Sequence, residues 1–292
     1  MRRIYLKAAL VPVAALALVA AASAASSPDV AKMNLQAADV PGAKLASQRA
    51  IKETGYSAAY VRTFRFSAPS GTARLVGVTA ETKLAPKASV AAADVSVAEK
   101  AYRSTFGRKF FIATIAQGAN VQPKAVVLGA FRKVAGYDQG FEVPVSVLVK
   151  GKRYYENLVY MRLDRVAVFM VEAGLRPITA GVTGTYAIAI AGHIGTELAP
   201  VAVAPPTVTG TAQQGQTLTA TPGVWTAPDA IFTYQWQHCD AAGANCVDVV
   251  GATAQTYAVT PADVGTTLVV TVTASNRFGT LATPSAATLV VS

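Results

Sequence analysis

The sequence predicts an α+β domain, built as an antiparallel sheet with flanking helices, followed by an all-β immunoglobulin-like sandwich. Three observations carry this expectation. Alternating runs bounded by Gly and Asp turns fill the middle of the chain, beside an Ala-rich helical stretch. Beyond residue 206, short β-rich runs recur about every ten residues between Gly, Pro, Asn and Asp punctuation. Between these patterns lies Glu197-Leu-Ala-Pro-Val-Ala-Val-Ala-Pro-Pro206, whose prolines lack amide donors and bias their neighbours towards extended geometry. The expected organisation is therefore a signal peptide at 1–24, an α+β domain at 27–198, a Pro/Ala/Val linker at 199–206 and a sandwich at 207–292.

The chain opens with MRRIYLKAALVPVAALALVAAASAASS. Arg2, Arg3 and Lys7 form a basic start, Ala8 to Ala21 a short apolar stretch, and Ala22-Ser23-Ala24 the small-x-small pattern a signal peptidase accepts. Pro12 interrupts the apolar stretch, which is short for a membrane span, and no later segment reaches about 18 uncharged apolar residues. The expectation is export, to the medium or the cell envelope, with no transmembrane segment in the mature chain.

Within the α+β region, Asp39-Val-Pro-Gly42 reads as a turn after a short helix. Ala59 to Phe66 alternates, Pro69-Ser-Gly71 turns the chain, and Ala73 to Leu84 returns as a strand. Pro86 suits a first helical turn, and Lys87 to Phe106 is Ala-rich without Gly or Pro, with Val90, Ala93, Val97 and Ala101 on one face. A second, shorter helix is expected over Lys109 to Gln117. Phe141 to Val149, Lys152 to Met161 and Arg165 to Val171 read as strands joined by tight turns at Lys150-Gly151 and Leu163-Asp164. Thr179 to Leu198 can close the domain as a helix, although its four glycines weaken it. This order suggests helices packed on one face of the sheet.

The stretch Leu35-Gln-Ala-Ala-Asp-Val-Pro-Gly42, with the sheet that follows it, resembles secreted sensor-type or carrier-type domains of actinobacterial envelope proteins. That resemblance implies a curved antiparallel sheet whose flanking helices line an apolar cleft.

In the C-terminal region Phe232, Tyr234 and Trp236 share one side of a strand, and Leu268, Val270, Val272 and Ala274 share one side of another, so these faces should meet as a core. Tyr234 and Trp236 are its expected anchors. Two cysteines in an exported chain favour one disulfide, Cys239 to Cys246. Both follow Trp236, so the pair does not match the inter-sheet bridge of antibody domains. The alternative is a redox or metal pair with His238, but zinc takes about four ligands, and His193 is the only other histidine. Pro206, Gly210, Gly215, Leu218, Gly223, Trp225, Tyr234-Gln-Trp236, Cys239, Cys246, Gly251-Ala252, Tyr257, Asp263-Val-Gly265 and Ala274-Ser-Asn276 carry a resemblance to a bacterial Ig-like module common in exported actinobacterial proteins. It spans about Ala204 to Ser292, with His238 where the family usually has an Arg.

Charge is distributed unevenly. The chain holds 26 Lys and Arg against 16 Asp and Glu, yet beyond Val203 Arg277 faces Asp229, Asp240, Asp248 and Asp263 alone. The excess cations therefore lie in the α+β region, where they serve either solubility or attraction to an anionic envelope polymer. Lys150, Lys152 and Arg153, with Tyr154 and Tyr155, form the densest basic-aromatic cluster. It reads either as a polymer contact or as a charged hairpin tip.

Catalytic motifs are missing. The chain has no Gly-x-Ser-x-Gly, Ser-x-x-Lys or His-Glu-x-x-His sequence and no phosphate-cradling glycine loop. No residue pattern calls for a cofactor or metal, or for specific nucleic-acid contact. Asp138, Glu142 and Glu156 flank the hairpin strands, and converging on one face they could supply general acid–base chemistry. The leading expectation is a non-enzymatic exported protein whose α+β domain binds an anionic envelope polymer or a small apolar ligand. The rivals are a hydrolase with a carboxylate pair and a structural adhesion component.

Overall fold

The computed structural model describes residues 28–292, and the expected signal segment lies outside them. The described chain divides into two compact units, one from Asp29 to Ile194 and one from Gly195 to Ser292. Among the described residues no helix is long and apolar enough to cross a membrane.

The first unit runs α1 (Val30–Met33), β1 (Ala43–Ile51), β2 (Ala58–Ser70), β3 (Leu75–Leu84), α2 (Ala88–Arg103), α3 (Thr105–Ala119), β4 (Val126–Leu128), β5 (Arg132–Lys133), β6 (Gln139–Val149), β7 (Lys152–Leu163), β8 (Val166–Gly174) and α4 (Ala180–Leu198). It is an α+β fold with an antiparallel sheet ordered β1-β2-β3-β8-β7-β6-β4, and β5 pairs with β6. The expected hairpins are present: Val149 pairs with Lys152 and Leu163 with Val166. Lys150 and Gly151 both take positive φ, as a two-residue turn matching strand twist requires.

The helices cover both faces of the sheet, not one as expected. Phe141, Val143, Val145 and Val147 of β6 face α2 and α3, with Leu158 and Tyr160 of β7 and Phe169 of β8 beside them. On the opposite face Val159, Met161, Val168 and Met170 are also fully buried. Strands buried on both sides need cover on both, and α1 and α4 supply the second layer. Asn34, just after α1, donates to the Tyr60 and Ala80 carbonyls, and Thr183 of α4 donates to Glu172 of β8.

Both expected helices are present, but the break between them falls at Ser104, earlier than the expected end at Phe106, and the second helix is longer than Lys109 to Gln117. α2 stops at Arg103, and Ser104 caps α3 by accepting from the Gly107 amide at 2.9 Å. Gly107 is needed at this elbow, because a Cβ there would lie 2.1 Å from the Ala101 carbonyl oxygen. The buried face of α2 is also different. Ala91, Val95 and Tyr102 point into the core, while Val97 is half exposed. The Tyr102 ring sets this rotation, since it is fully buried and stacks on Phe111.

The second unit carries nine short strands: β9 (Ala202–Ala204), β10 (Thr207–Thr209), β11 (Thr217–Thr221), β12 (Val224–Trp225), β13 (Ile231–Cys239), β14 (Val247–Asp248), β15 (Thr256–Ala258), β16 (Thr267–Asn276) and β17 (Gly279–Pro284). They form sheets ordered β10-β11-β15 and β14-β13-β16-β17, with β9 pairing β12. Residues 199–206, expected as a linker, thus supply a paired strand. Trp236 is 0% exposed and sits among Leu218, Ala220, Val270 and Val272, which joins residues of the two larger sheets in one core. Its indole N–H donates to the Ala254 carbonyl at 2.9 Å, and its ring stacks on Tyr257. Tyr234 is half-buried against the same cluster.

Candidate functional site

In the first unit α2 and α3 do not seal against the sheet. A cleft of about 770 Å³ remains between them and β3, β7 and β8, within the size range of small-molecule sites. Period-two alternation in paired strands builds its floor. Tyr160 of β7 lies opposite Phe169 of β8 and Phe141 of β6, with ring centroids 4.6 and 5.0 Å apart. The roof comes from helical spacing, with Val97 and Ala101 on α2 and Phe106, Phe110 and Thr114 on α3. Phe106 is 83% and Phe110 47% exposed, so the elbow leaves large apolar groups at the mouth. Tyr102 and Phe111 stack face to face at 3.8 Å on the inner side.

One end of the cleft is polar. Asp94 of α2 accepts from the Lys83 ammonium and the Tyr56 hydroxyl, both at 2.6 Å, and the ammonium lies 4.6 Å from the Tyr56 ring centre. Glu53, Glu81 and the exposed Lys100 complete this end. Burial, above all, raises the Glu81 carboxyl above its ordinary range, with Lys83 opposing and Glu53 and Asp94 reinforcing. The phenols inside are neutral donors. Burial pushes Tyr102 up to about 12 and Tyr160 well above the usual phenol range.

The three expected carboxylates do not converge. Asp138 pairs with Arg162 at 3.2 Å and accepts from the Asp164 amide at the end of the β7–β8 hairpin. Glu156 is half-buried beside Val145 and Ala173 on the α2–α3 face, where burial pushes it to about 7. Glu142 lies on the other face, beneath α4. There it pairs with Arg132 at 2.6 Å and accepts from Asn157, which also reaches Glu172. Glu142, Asn157, Glu172 and Thr183 are all buried. None of Asp138, Glu142, Glu156 or Glu172 lines the cleft. The acid–base chemistry these groups could supply is therefore separated from the space a ligand could enter.

The basic-aromatic hairpin is likewise divided by strand parity. Lys152 and Tyr154 project on one face of the sheet, Arg153 and Tyr155 on the other, and Lys150 is in the turn. The Lys152 ammonium lies 5.6 Å from the Tyr154 ring centre, and Arg153 donates to the Ser146 hydroxyl. None of the five lines the cleft.

Cys239 and Cys246 are joined, which removes the redox or metal alternative in the free-thiol form. His238 is engaged with Asp263. Burial pushes that carboxyl up, but hydrogen bonds from Thr260, Tyr257 and His238 hold it below its ordinary value. His193 pairs with Asp39 at 2.9 Å. Among the described residues no group of three or more His, Cys, Asp or Glu could hold a metal ion.

The sequence reading missed most of the cleft. Tyr102, Phe106 and Phe110 recur at four-residue spacing, a visible stripe of aromatics, but the elbow's glycine, Gly107, lies inside the first turn of α3 and so marks the break later than Ser104, where it falls.

Neither a family model nor a curated protein sequence matches the chain. Among solved structures, the extracellular domain of PknH from Mycobacterium tuberculosis is similar at 12% identity and a TM-score of 0.36, over 57% of this chain and 95% of that one.

Proposed function

We propose that this chain is an exported, non-enzymatic binding protein that holds a small apolar ligand between the sheet and the α2–α3 elbow of its first unit. The cleft carries this reading. Its floor and roof are aromatic and aliphatic, its volume suits a small molecule, and its mouth exposes Phe106 and Phe110. The disulfide is in keeping with an oxidising compartment, and the basic opening sequence with export. Hydrolysis by the carboxylates expected from sequence is disfavoured because Glu142 is ion-paired and enclosed beneath α4, and neither Asp138 nor Glu156 lines the cleft. An anionic polymer is a weaker candidate than an apolar ligand, because Lys152 and Arg153 diverge to opposite faces.

For the second unit we propose an Ig-like sandwich that serves as a spacer or interaction module. Two sheets sharing a core around Trp236 support it, and neither histidine–carboxylate contact in the chain belongs to an open site there.

Native mass spectrometry of protein purified from its source's culture medium tests the binding reading. The wild type should carry added mass that organic solvent extracts. Ala98→Trp, which fills the cleft from α2, should lose that mass and keep its fold. Equal ligand loads on the two proteins, or none on the wild type even after incubation with apolar lipids, would refute the reading.

A further inference from the structure

We infer that the cleft selects a long-chain amine, an aliphatic molecule whose cationic head is received by Glu81 at the polar end. This deepens the apolar-ligand reading and rests on it. The cleft has two chemically distinct ends. Hydrocarbon is accommodated among Ala101, Phe106, Phe110 and Phe169, while Glu53, Glu81, Lys83 and Asp94 gather at the other end. A ligand spanning both must be amphipathic, with one head group.

The sign of that head follows from which charges are already satisfied. The Lys83 ammonium is held by Asp94 at 2.6 Å and lies over the Tyr56 ring, so that cation is neutralised from within. Lys100 also lines this end, but it is exposed, so water and salt screen its charge more than that of the half-buried Glu81. Glu81 remains. It lines the cleft beside Phe169, its cross-strand partner, and no hydrogen bond or ion pair engages its carboxylate among the described residues. An anionic head would meet Glu81 and Glu53 together. An ammonium would meet an unengaged acceptor in Glu81. The site already shows that it tolerates such a group, since Lys83 is itself a primary ammonium held by a carboxylate and an aromatic face. Burial also makes charge on Glu81 costly until a cation arrives, which favours binding of a group that supplies one.

The test is calorimetric titration of the full chain at neutral pH with dodecylamine, dodecanol and dodecanoate, each below its aggregation threshold. Charge-assisted hydrogen bonds contribute about 1.5–3 kcal/mol, so dodecylamine should bind about tenfold or more tighter than dodecanol, and dodecanoate should bind weakest. Glu81→Gln keeps size and shape. It should bind dodecanol as the wild type does, which also shows that the cleft is intact, and should lose the amine preference. Dodecanoate binding as tightly as dodecylamine to the wild type would overturn the inference, as would an undiminished amine preference in Glu81→Gln. If dodecanol binds without any amine preference, only the head-group inference falls. If none of the three binds, the apolar-ligand reading falls with it.

Discussion

Glu172 gives the sharpest test of how the first unit is held together. Its side chain is 0% exposed beneath α4, where Oε2 accepts from the Thr183 hydroxyl at 2.6 Å and Oε1 has no partner. Burial pushes its carboxyl up to about 7. Hydrogen bonds from Thr183 and Asn157 and the Arg132 charge oppose the rise, and Glu142 adds to it. In the unfolded chain a Glu titrates near 4.3. The folded state therefore binds this proton more tightly than the unfolded state. The resulting stability is fully present below about pH 4.3 and is lost as pH rises through about 7. At about 1.4 kcal/mol per pH unit between the two values, the loss above pH 7 is about 3–4 kcal/mol.

Glu172→Gln cannot ionise and retains a carbonyl oxygen to accept from Thr183 and Asn157. It should match the wild type at pH 4 and exceed its stability at pH 8.5 by about 3 kcal/mol or slightly more. For a unit of this size that corresponds to about 6–12 °C in Tm. Differential scanning calorimetry of the full chain at the two pH values is the assay. Trp225 and Trp236, the two tryptophans of the chain, both lie in the second unit, so indole fluorescence identifies that unit's transition. The remaining transition belongs to the first unit. Comparing variant with wild type cancels the titration of Glu156 and the surface carboxylates. Parallel pH profiles for the two proteins would refute the reasoning. So would a Glu172→Gln protein destabilised equally at both pH values, which would mean that the native state needs an ionised Glu172 to balance Arg132.

Trp236→Ala should cost the second unit about 3–5 kcal/mol, because it deletes a fully buried ring and strands the Ala254 carbonyl; Trp225 fluorescence in urea reads the loss, and an unchanged midpoint would contradict the packing. Gly107→Ala should destabilise the first unit by about 1–3 kcal/mol and abolish ligand uptake, since its Cβ would press on the Ala101 carbonyl; wild-type ligand loading in native mass spectra would show that the elbow does not shape the cleft. Thiol labelling of the denatured, unreduced chain should give no signal, and reduction should lower second-unit stability by about 2.5 kcal/mol for this short loop. Replacing Lys150, Lys152 and Arg153 by Gln should leave ligand loading of the cleft unchanged, because none of the three lines it; a lost ligand would show that the hairpin contributes to the site.

Much of the sheet was legible because burial writes alternation into sequence. Phe141 to Val149 and Lys152 to Met161 each expose a period of two, and the Lys150-Gly151 turn fixes their register. That register also contains a conclusion the sequence reading did not extract. With Val149 opposite Lys152, Glu156 must lie opposite Val145. Positions 142 and 145 are an odd number apart on one strand, so Glu142 and Glu156 face opposite sides of the sheet. The same parity sends Lys152 and Arg153 to different faces, although they adjoin in sequence. Proximity along a strand is a poor guide to convergence, and a tight hairpin turn is enough to show it.

What stayed hidden did so for lack of a burial signal. β1 is exposed along nearly its whole length, so Lys44 to Ala50 shows no alternation and is recognisable only from its pairing with β2. The cleft is a subtler case. A single helix over residues 88–119 would run about 48 Å, longer than the roughly 40 Å of a twelve-residue strand such as β7. A roof that stays over the sheet must therefore fold back, and it does so at Ser104, where a side-chain cap rather than Gly or Pro ends α2. Two helices meeting at an elbow cannot both lie flush on a twisted sheet, so space opens where they diverge. Val97 and Ala101 have the spacing of core residues, yet they flank the face of α2 that packs on the sheet and line the cleft instead. Apolar periodicity reports which side of a helix avoids water. It carries no information on whether the other wall of the interface is protein or a ligand, and that distinction emerges only when the Phe106 and Phe110 rings are found bordering a cleft without a protein partner to close it.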